Sequence, residues 1–84
     1  MTGQIPKYGE NFRLEHVPAS PDMANRLYVL KRDDDWWIRS DKSSKIWMIF
    51  HNGVFMTERS SLGKAMSAVL RGIELGFYSI KGEK

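Results

Sequence analysis

The chain carries two hydrophobic patterns, one with a period of two and one with a helical period. From residue 26 onward, apolar and polar residues alternate in four short runs rich in β-branched and aromatic side chains, which predicts β-strands. The runs are 26–32, 36–40, 45–50 and 54–57. Asn52 and Gly53 lie between two apolar runs, the strongest short-range hairpin signal, because both residues tolerate positive φ. The sequence therefore predicts an antiparallel sheet over 26–59.

The pattern changes after residue 60, where apolar residues recur at spacings of three and four. The apolar positions are Leu62, Met66, Val69, Leu70 and Ile73, and the polar positions on the other side are Lys64, Ser67, Arg71 and Glu74. This spacing predicts a helix over 61–75, capped by a serine and ended by Gly76. Gly63 and Gly72 each cost the helix up to about 1 kcal/mol relative to alanine, so we expect the helix to depend on packing against the sheet.

The first quarter of the chain contains all of the prolines. They are Pro6, Pro18 and Pro21. Because proline lacks a backbone donor and restricts the residue before it, residues 1–25 are predicted to form an arm or an edge strand, with one short strand within 11–17. At the other end, residues 76–84 are predicted to be a tail, in which 77–80 adds a short strand or a docking segment.

These elements predict a single α+β domain over 1–84. It is an antiparallel β-meander of three to four strands packed on one C-terminal helix, with an N-terminal extended arm. The composition agrees, since 84 residues leave no room for a second domain, and an apolar fraction of 42% with 12% aromatic residues suits a compact core.

The absence of cysteine and the charge balance limit the environment and the partners. Without cysteine there are no disulfides, no thiolate metal sites and no Cys nucleophile, which fits a reducing compartment. No apolar run has the length of a signal peptide or of a membrane helix, so we expect a soluble, cytoplasmic protein with no membrane partner. A formal charge of +3 permits an acidic partner without requiring one.

Catalytic and metal-binding patterns are missing from the sequence. His16 and His51 have no convincing nucleophile partner, and no nucleophile elbow, phosphate-binding loop or dinucleotide glycine motif occurs. The acidic run 33–35 and Asp41 do not follow the spacing of a calcium loop, which favours a turn. We therefore expect a protein that is not an enzyme and that has no cofactor and no metal site.

If the strands share a register, their alternation divides the sheet into two surfaces. One surface is rich in aliphatic side chains and suits a core beneath the helix: Leu27, Val29, Trp36, Ile38, Ile46, Met48 and Phe50. The other mixes aromatic and guanidinium groups: Tyr28, Arg32, Trp37, Arg39, Trp47 and Phe55. Aromatic rings beside cations suit stacking on bases and contact with phosphates. In the opposing interpretation, Trp37 and Trp47 are buried under the N-terminal arm as part of a core.

The order of the elements also resembles two families of small DNA-binding domains. The resemblance is carried by residues 28–32, Trp37-Ile38-Arg39, Lys45-Ile46-Trp47 and the helix that begins near Leu62. The chain resembles the arm-binding domains of tyrosine recombinases and the plant ethylene-response type. That resemblance implies a three-stranded antiparallel sheet that enters the major groove while the following helix braces its back. The compact aromatic chain also looks like small accessory proteins of phages and other mobile elements, which often bind and block a host protein.

Two functional hypotheses therefore remain open. The first is a non-enzymatic module that binds nucleic acid through cationic and indole side chains of the sheet: Lys31, Arg32, Trp37, Arg39, Lys42, Lys45 and Trp47. Its binding is expected to weaken with added salt. The alternative is a protein-binding regulator or inhibitor, monomeric or homodimeric, that uses exposed Trp, Tyr and Arg side chains as anchors.

Overall fold

Five antiparallel strands form one sheet whose spatial order follows the chain order, and one α-helix comes after them in the described part of the chain. The computed structural model describes residues 9–18, 21 and 23–78. The strands are β1 (Phe12–His16), β2 (Met23–Leu30), β3 (Trp36–Asp41), β4 (Trp47–His51) and β5 (Val54–Arg59), and the helix is α1 (Leu62–Glu74). A short 3-10 helix, Gly9–Asn11, precedes β1.

The predicted fold class, an antiparallel meander packed against one C-terminal helix, is confirmed. The predicted count of three to four strands is wrong, because β1 pairs with β2 over its whole length and adds a fifth strand to the sheet. Residues 1–8 of the predicted arm and residues 79–84 of the predicted tail lie outside the described residues.

The hairpin between β4 and β5 follows from the residues at its turn. Asn52 and Gly53 have φ angles of 58° and 81°, the left-handed values that a two-residue hairpin turn requires. In the turn between β2 and β3, the buried Asp33 accepts a hydrogen bond from the Asp35 backbone N–H through Oδ1, at 3.0 Å. The acidic run therefore forms a turn, in which one carboxylate satisfies the local backbone.

Helix α1 begins and ends at the residues that cap it. The Ser61 side chain accepts a hydrogen bond of 3.2 Å from the Lys64 backbone N–H, and Gly76 follows the helix with φ of 87°. Ala65, Met66 and Val69 on its inner face are fully buried. None of the helices in the described ranges has the length and apolarity that a membrane crossing needs.

The core lies between α1 and one face of the sheet. Its buried members are Phe12, Leu30, Trp36, Ile38, Ile49, Ala65, Met66 and Val69. Tyr78 packs against this core after the helix, with its ring 4.7 Å from that of Trp36. Gly72 makes the contact possible, because a Cβ at that position would overlap the Tyr78 ring. The helix thus carries a glycine of poor helix propensity for a packing reason.

Strand pairing assigns each residue of the sheet to one of two faces, since directly paired residues lie on the same side. Tyr28 pairs with Ile38, and Ile38 pairs with Ile49, so this row lies on the helix side with the core. Their neighbours Val29, Trp37 and Phe50 also pair with one another and form a row on the opposite side. We call the side of the sheet away from α1 the outer face.

The predicted division of the sheet into two surfaces is partly wrong. Four residues expected in the core beneath the helix lie on the outer face: Leu27, Val29, Met48 and Phe50. Two residues expected on the aromatic and basic surface, Tyr28 and Trp47, lie on the helix side, with ring centroids 6.1 Å apart. The prediction grouped Val29 with Ile38, whereas the structure pairs Val29 with Trp37. A shift of one residue in register moves every side chain of a strand to the other face, which explains the error.

Candidate functional site

The seven residues predicted to bind nucleic acid do not form one surface. Lys31 and Arg32 are exposed in the turn between β2 and β3, whereas Lys42 and Lys45 are exposed in the turn between β3 and β4, at the other end of the strands. Trp37 and Arg39 lie together on the outer face, and Trp47 packs on the helix side. The sheet therefore brings together two of the seven and separates the other five from them. The seven residues are therefore not contiguous, and their role in binding nucleic acid stays a prediction.

The outer face consists of two rows of side chains that cross all five strands. The first outer row is Arg13, Val29, Trp37, Phe50 and Phe55. The second outer row is Glu15, Leu27, Arg39, Met48 and Glu58. Each row has one residue from each strand, so a change at one strand alters the neighbours on the next.

Aromatic rings in contact make up most of the first outer row. The Trp37 and Phe50 rings stack at a centroid distance of 4.2 Å and an interplanar angle of 14°. The Phe50 and Phe55 rings meet edge to face at 5.9 Å and 74°. Such pairs contribute about 0.5–1.5 kcal/mol each beyond the area they bury. They hold three rings in a fixed strip that runs from the centre of the sheet to its β5 edge.

The charges of the two outer rows cancel, and both cations are engaged within the molecule. Arg13 and Arg39 balance Glu15 and Glu58. Arg13 Nε lies 2.6 Å from Glu15 Oε2. Arg39 donates from Nε to the Ala24 carbonyl at 2.7 Å and from Nη2 to the Pro18 carbonyl at 3.0 Å. The two outer rows therefore carry no net charge, and Arg39 holds a segment of the backbone in place.

Strand β5 exposes a run of apolar side chains at the edge of the sheet. Val54 is 61% exposed, Phe55 49% and Met56 41%. A bulge accompanies them, because Thr57 pairs with Ile49 while Phe55 pairs with the next residue of β4, leaving Met56 as the extra residue. Within the described sheet, β5 is an end strand that pairs only with β4. Its free edge therefore lies beside exposed apolar surface, a combination that most soluble proteins avoid.

Two acidic features have local structural roles. The carboxylate oxygens of Asp33, Asp34 and Asp35 lie within 4.8 Å of one another, but the Asp33 carboxylate serves the turn described above. Asp41 Oδ1 accepts hydrogen bonds of 2.9 Å from both the backbone N–H and the hydroxyl of Ser43. The backbone N–H of Ser43, together with side-chain hydrogen bonds from Ser44 and Ser43, holds the pKa of Asp41 below its ordinary value. The carboxylates of Asp33 and Asp41 therefore each stabilise a turn.

No protein family, curated protein or solved structure matches this chain. The resemblance to sheet-plus-helix DNA-binding domains stays a prediction.

Sequence reasoning overlooked the residues that make the outer face distinctive. The sequence pattern predicts Phe50 in the core, and Val54 and Met56 are not among the predicted site residues. The chain does carry a signal for the last two, because Val54, Phe55 and Met56 are three consecutive apolar residues after a hairpin turn. A strand with one buried face cannot bury all three, so at least one is expected to be exposed.

Proposed function

We propose that this protein is a non-enzymatic module that binds a partner protein through the first outer row and the adjoining edge of β5. The observation that carries the proposal is the continuity of the surface. The stacked rings of Trp37, Phe50 and Phe55 lead directly to a free strand edge on which Val54, Phe55 and Met56 are exposed. Aromatic side chains dominate the energetics of protein interfaces, and sheet edges bind extended segments by strand addition.

The two edges of the sheet differ in a way that supports this use of β5. Strand β1 presents Arg13, Glu15 and His16, and charged residues of this kind protect an edge from further pairing. The first half of β5 has no charged side chain. A partner segment therefore meets less desolvation cost at β5 than at β1.

The expected occupant is an extended segment of another protein. Its residue opposite Phe55 would continue the first outer row and is expected to be aromatic or aliphatic. Its residue opposite Glu58 would continue the second outer row and is expected to be Lys or Arg, because an opposite charge across strands contributes roughly 0.2–1 kcal/mol.

A second copy of this chain fits the edge less well. Two β5 strands paired antiparallel over their full length would place the apolar half of one against the charged half of the other, so that Val54 and Phe55 face Glu58 and Arg59. Neither copy would then gain an apolar neighbour for its exposed residues. The edge is better matched by a segment of different sequence.

The neutrality of the outer face favours a protein over nucleic acid as its ligand. Nucleic-acid binding derives most of its affinity from cations that contact phosphates. Arg13 and Arg39, the cations of the two outer rows, already bind Glu15 and backbone carbonyls. A phosphate at this face would compete with these contacts and would lie beside two carboxylates.

The proposal is tested with a synthetic seven-residue peptide that alternates Phe or Val with Thr and has Lys near one end. Amide NMR shifts of the full chain would be recorded during its titration to millimolar concentration. We expect the largest shifts at the β5 amides, and we expect Phe55→Ala to weaken binding about tenfold, equal to about 1.4 kcal/mol. Leu14→Ala is the matched control, since Leu14 is similarly exposed, at 43%, on the opposite edge strand.

Three outcomes would refute the proposal. The first is a titration to millimolar peptide that leaves the β5 amides unchanged. The second is a Phe55→Ala protein that binds the peptide as tightly as the Leu14→Ala protein. The third is self-association, measured by sedimentation, that disappears in Phe55→Ala, because it would assign the edge to a second copy of the chain.

A further inference from the structure

An open groove runs along α1 on the side of the molecule away from the outer face. It has a volume of about 550 Å³ and lies between the end of β5, the helix and the segment that follows the helix. Its lining includes Arg59, Lys64, Ser67, Arg71 and Phe77, and none of its lining residues is acidic. The groove therefore concentrates positive charge that the sequence shows only as scattered cations.

The cations of the groove are only weakly engaged by the described part of the molecule. Arg59 uses one nitrogen, Nη1, to donate to Thr57 Oγ1 at 2.8 Å and to the Glu58 carbonyl at 2.7 Å, and its Nε and Nη2 donate to no residue in the described ranges. Lys64 Nζ lies 3.4 Å from Ser60 Oγ, a long contact. None of the three cations forms an ion pair with a described residue. Lys64 and Arg71 are separated by about 10 Å along the helix axis, at 1.5 Å per residue.

An exposed aromatic ring lies at the end of this cationic track. Phe77 is 79% exposed, the most exposed of the large apolar side chains in the described ranges. Its backbone is nevertheless fixed, because its N–H donates to the Gly72 carbonyl at 2.8 Å and the next residue, Tyr78, packs on the core. The ring is thus held beside the cations without being buried.

We infer that this groove binds single-stranded nucleic acid. Proteins bind single strands by combining a cationic groove that follows the phosphates with aromatic rings on which bases stack, and the groove supplies both. The bases inside a duplex are already stacked on one another, so a base away from the duplex ends has to be unpaired to lie on the Phe77 ring. An acidic peptide would satisfy the cations but would leave Phe77 unused. The groove and the outer face lie on opposite sides of the sheet and share only strand β5, whose Arg59 lines the groove. This inference rests on the groove residues and not on the proposed protein partner.

The test uses the full chain and a fluorescently labelled oligonucleotide of twelve thymidines, with anisotropy measured at 50 mM and 200 mM salt. For three phosphate contacts on a single strand, the slope of log affinity against log salt is about −2.1, which predicts a loss of about 18-fold over this range. Replacement of one cation, in Lys64→Gln or Arg71→Gln, should reduce this loss to about 7-fold and weaken binding at both salt concentrations. Phe77→Ala should weaken binding by about 5-fold or more without changing the salt dependence, because stacking contributes about 1–3 kcal/mol per base.

Matched controls separate the groove from the rest of the surface. Lys31→Gln removes an exposed cation that does not line the groove, and Phe55→Ala removes an exposed ring from the outer face. Both variants should bind the oligonucleotide as the parent protein does. Circular dichroism of each variant would verify that it is folded.

Four results would overturn the inference. One is the absence of binding at 50 mM salt. Another is a set of groove variants that bind as tightly as Lys31→Gln and Phe55→Ala. A third is competition by a twelve-base-pair duplex, or by a glutamate peptide of the same charge, that equals competition by the unlabelled single strand. The fourth is thymidine monophosphate that binds as tightly as the oligonucleotide, which would assign the groove to a free nucleotide.

Discussion

Replacement of Arg39 should destabilise the protein, because this side chain completes the hydrogen bonding of an irregular strand. The pairing of β2 with β3 shifts between Met23 and Leu27, where four steps along β2 match two steps along β3. Such a bulge leaves backbone groups without a ladder partner. Arg39 binds one of them, the Ala24 carbonyl, at 2.7 Å, and it also binds the Pro18 carbonyl in the segment that connects β1 to β2.

The expected magnitude follows from the two hydrogen bonds. A charge-assisted bond contributes about 1.5–3 kcal/mol, and the exposed bond to Pro18 contributes less than the partly buried bond to Ala24. Arg39→Ala should therefore lower the free energy of unfolding by about 2–3 kcal/mol. For a domain of this size the Tm should fall by roughly 8–24 °C. Arg39→Lys should recover part of the loss, since an ammonium group can reach one carbonyl but cannot reproduce the guanidinium fork.

Urea unfolding followed by tryptophan fluorescence would measure these differences. Arg26→Ala is the matched control, because Arg26 is an exposed arginine in the same irregular stretch of β2. It should change the free energy of unfolding by less than about 0.5 kcal/mol. If Arg39→Ala were no more destabilising than Arg26→Ala, Arg39 would not hold the bulged strand. The guanidinium would then again be available for phosphate contact, as the sequence predicted.

Three further predictions concern the helix and the turns. Gly72→Ala should destabilise the protein by about 1–3 kcal/mol in thermal unfolding, because the added methyl group overlaps the Tyr78 ring. In a Tyr78→Ala background the same change should stabilise the protein by up to about 1 kcal/mol. A destabilisation in that background would contradict the role of Tyr78. Gly53→Ala should cost about 1–2 kcal/mol in urea unfolding because φ is 81° and not because of a clash, so an unchanged midpoint would refute it. The pKa of Asp41 is lower in the folded than in the unfolded protein, so the stabilisation by its carboxylate is present above the unfolded pKa and is lost as pH falls through the folded pKa. Asp41→Asn should therefore flatten this part of the plot of stability against pH. An NMR titration that gives Asp41 an ordinary carboxyl pKa would contradict this prediction.

Local signals in the sequence were sufficient for the helix and for one hairpin. The predicted helix over 61–75 agrees with α1, since a serine cap, a regular apolar stripe and a following glycine all point to the same boundaries. The Asn52-Gly53 turn was equally predictable, because few residues adopt positive φ without cost. These features depend on neighbours within a few residues, which are visible in the sequence.

The faces of the sheet could not be predicted in the same way, because they depend on which residues pair across strands. Trp36 and Trp37 are adjacent and identical, so the sequence does not say which of them lies in the core and which on the outer face. Pairing decides the matter, since Val29 opposes Trp37 and places it away from α1. Two irregularities, in β2 and in β5, change the register in ways that an alternating pattern does not reveal.

The two binding surfaces that we propose follow from which residues lie on each face of the sheet. Helix α1 covers one face of the sheet, and on the other face the described residues include an aromatic strip that ends at the exposed side chains of β5. Three other cations, Arg59, Lys64 and Arg71, line the groove on the solvent side of α1, and Phe77 lies beside them. The two kinds of binding require different surface chemistry. Nucleic acid is bound by cations and by stacking on aromatic rings, whereas an extended protein segment is bound by apolar contacts and strand pairing. Because the sheet separates the two surfaces, Phe55→Ala and Phe77→Ala should each remove one interaction and leave the other intact.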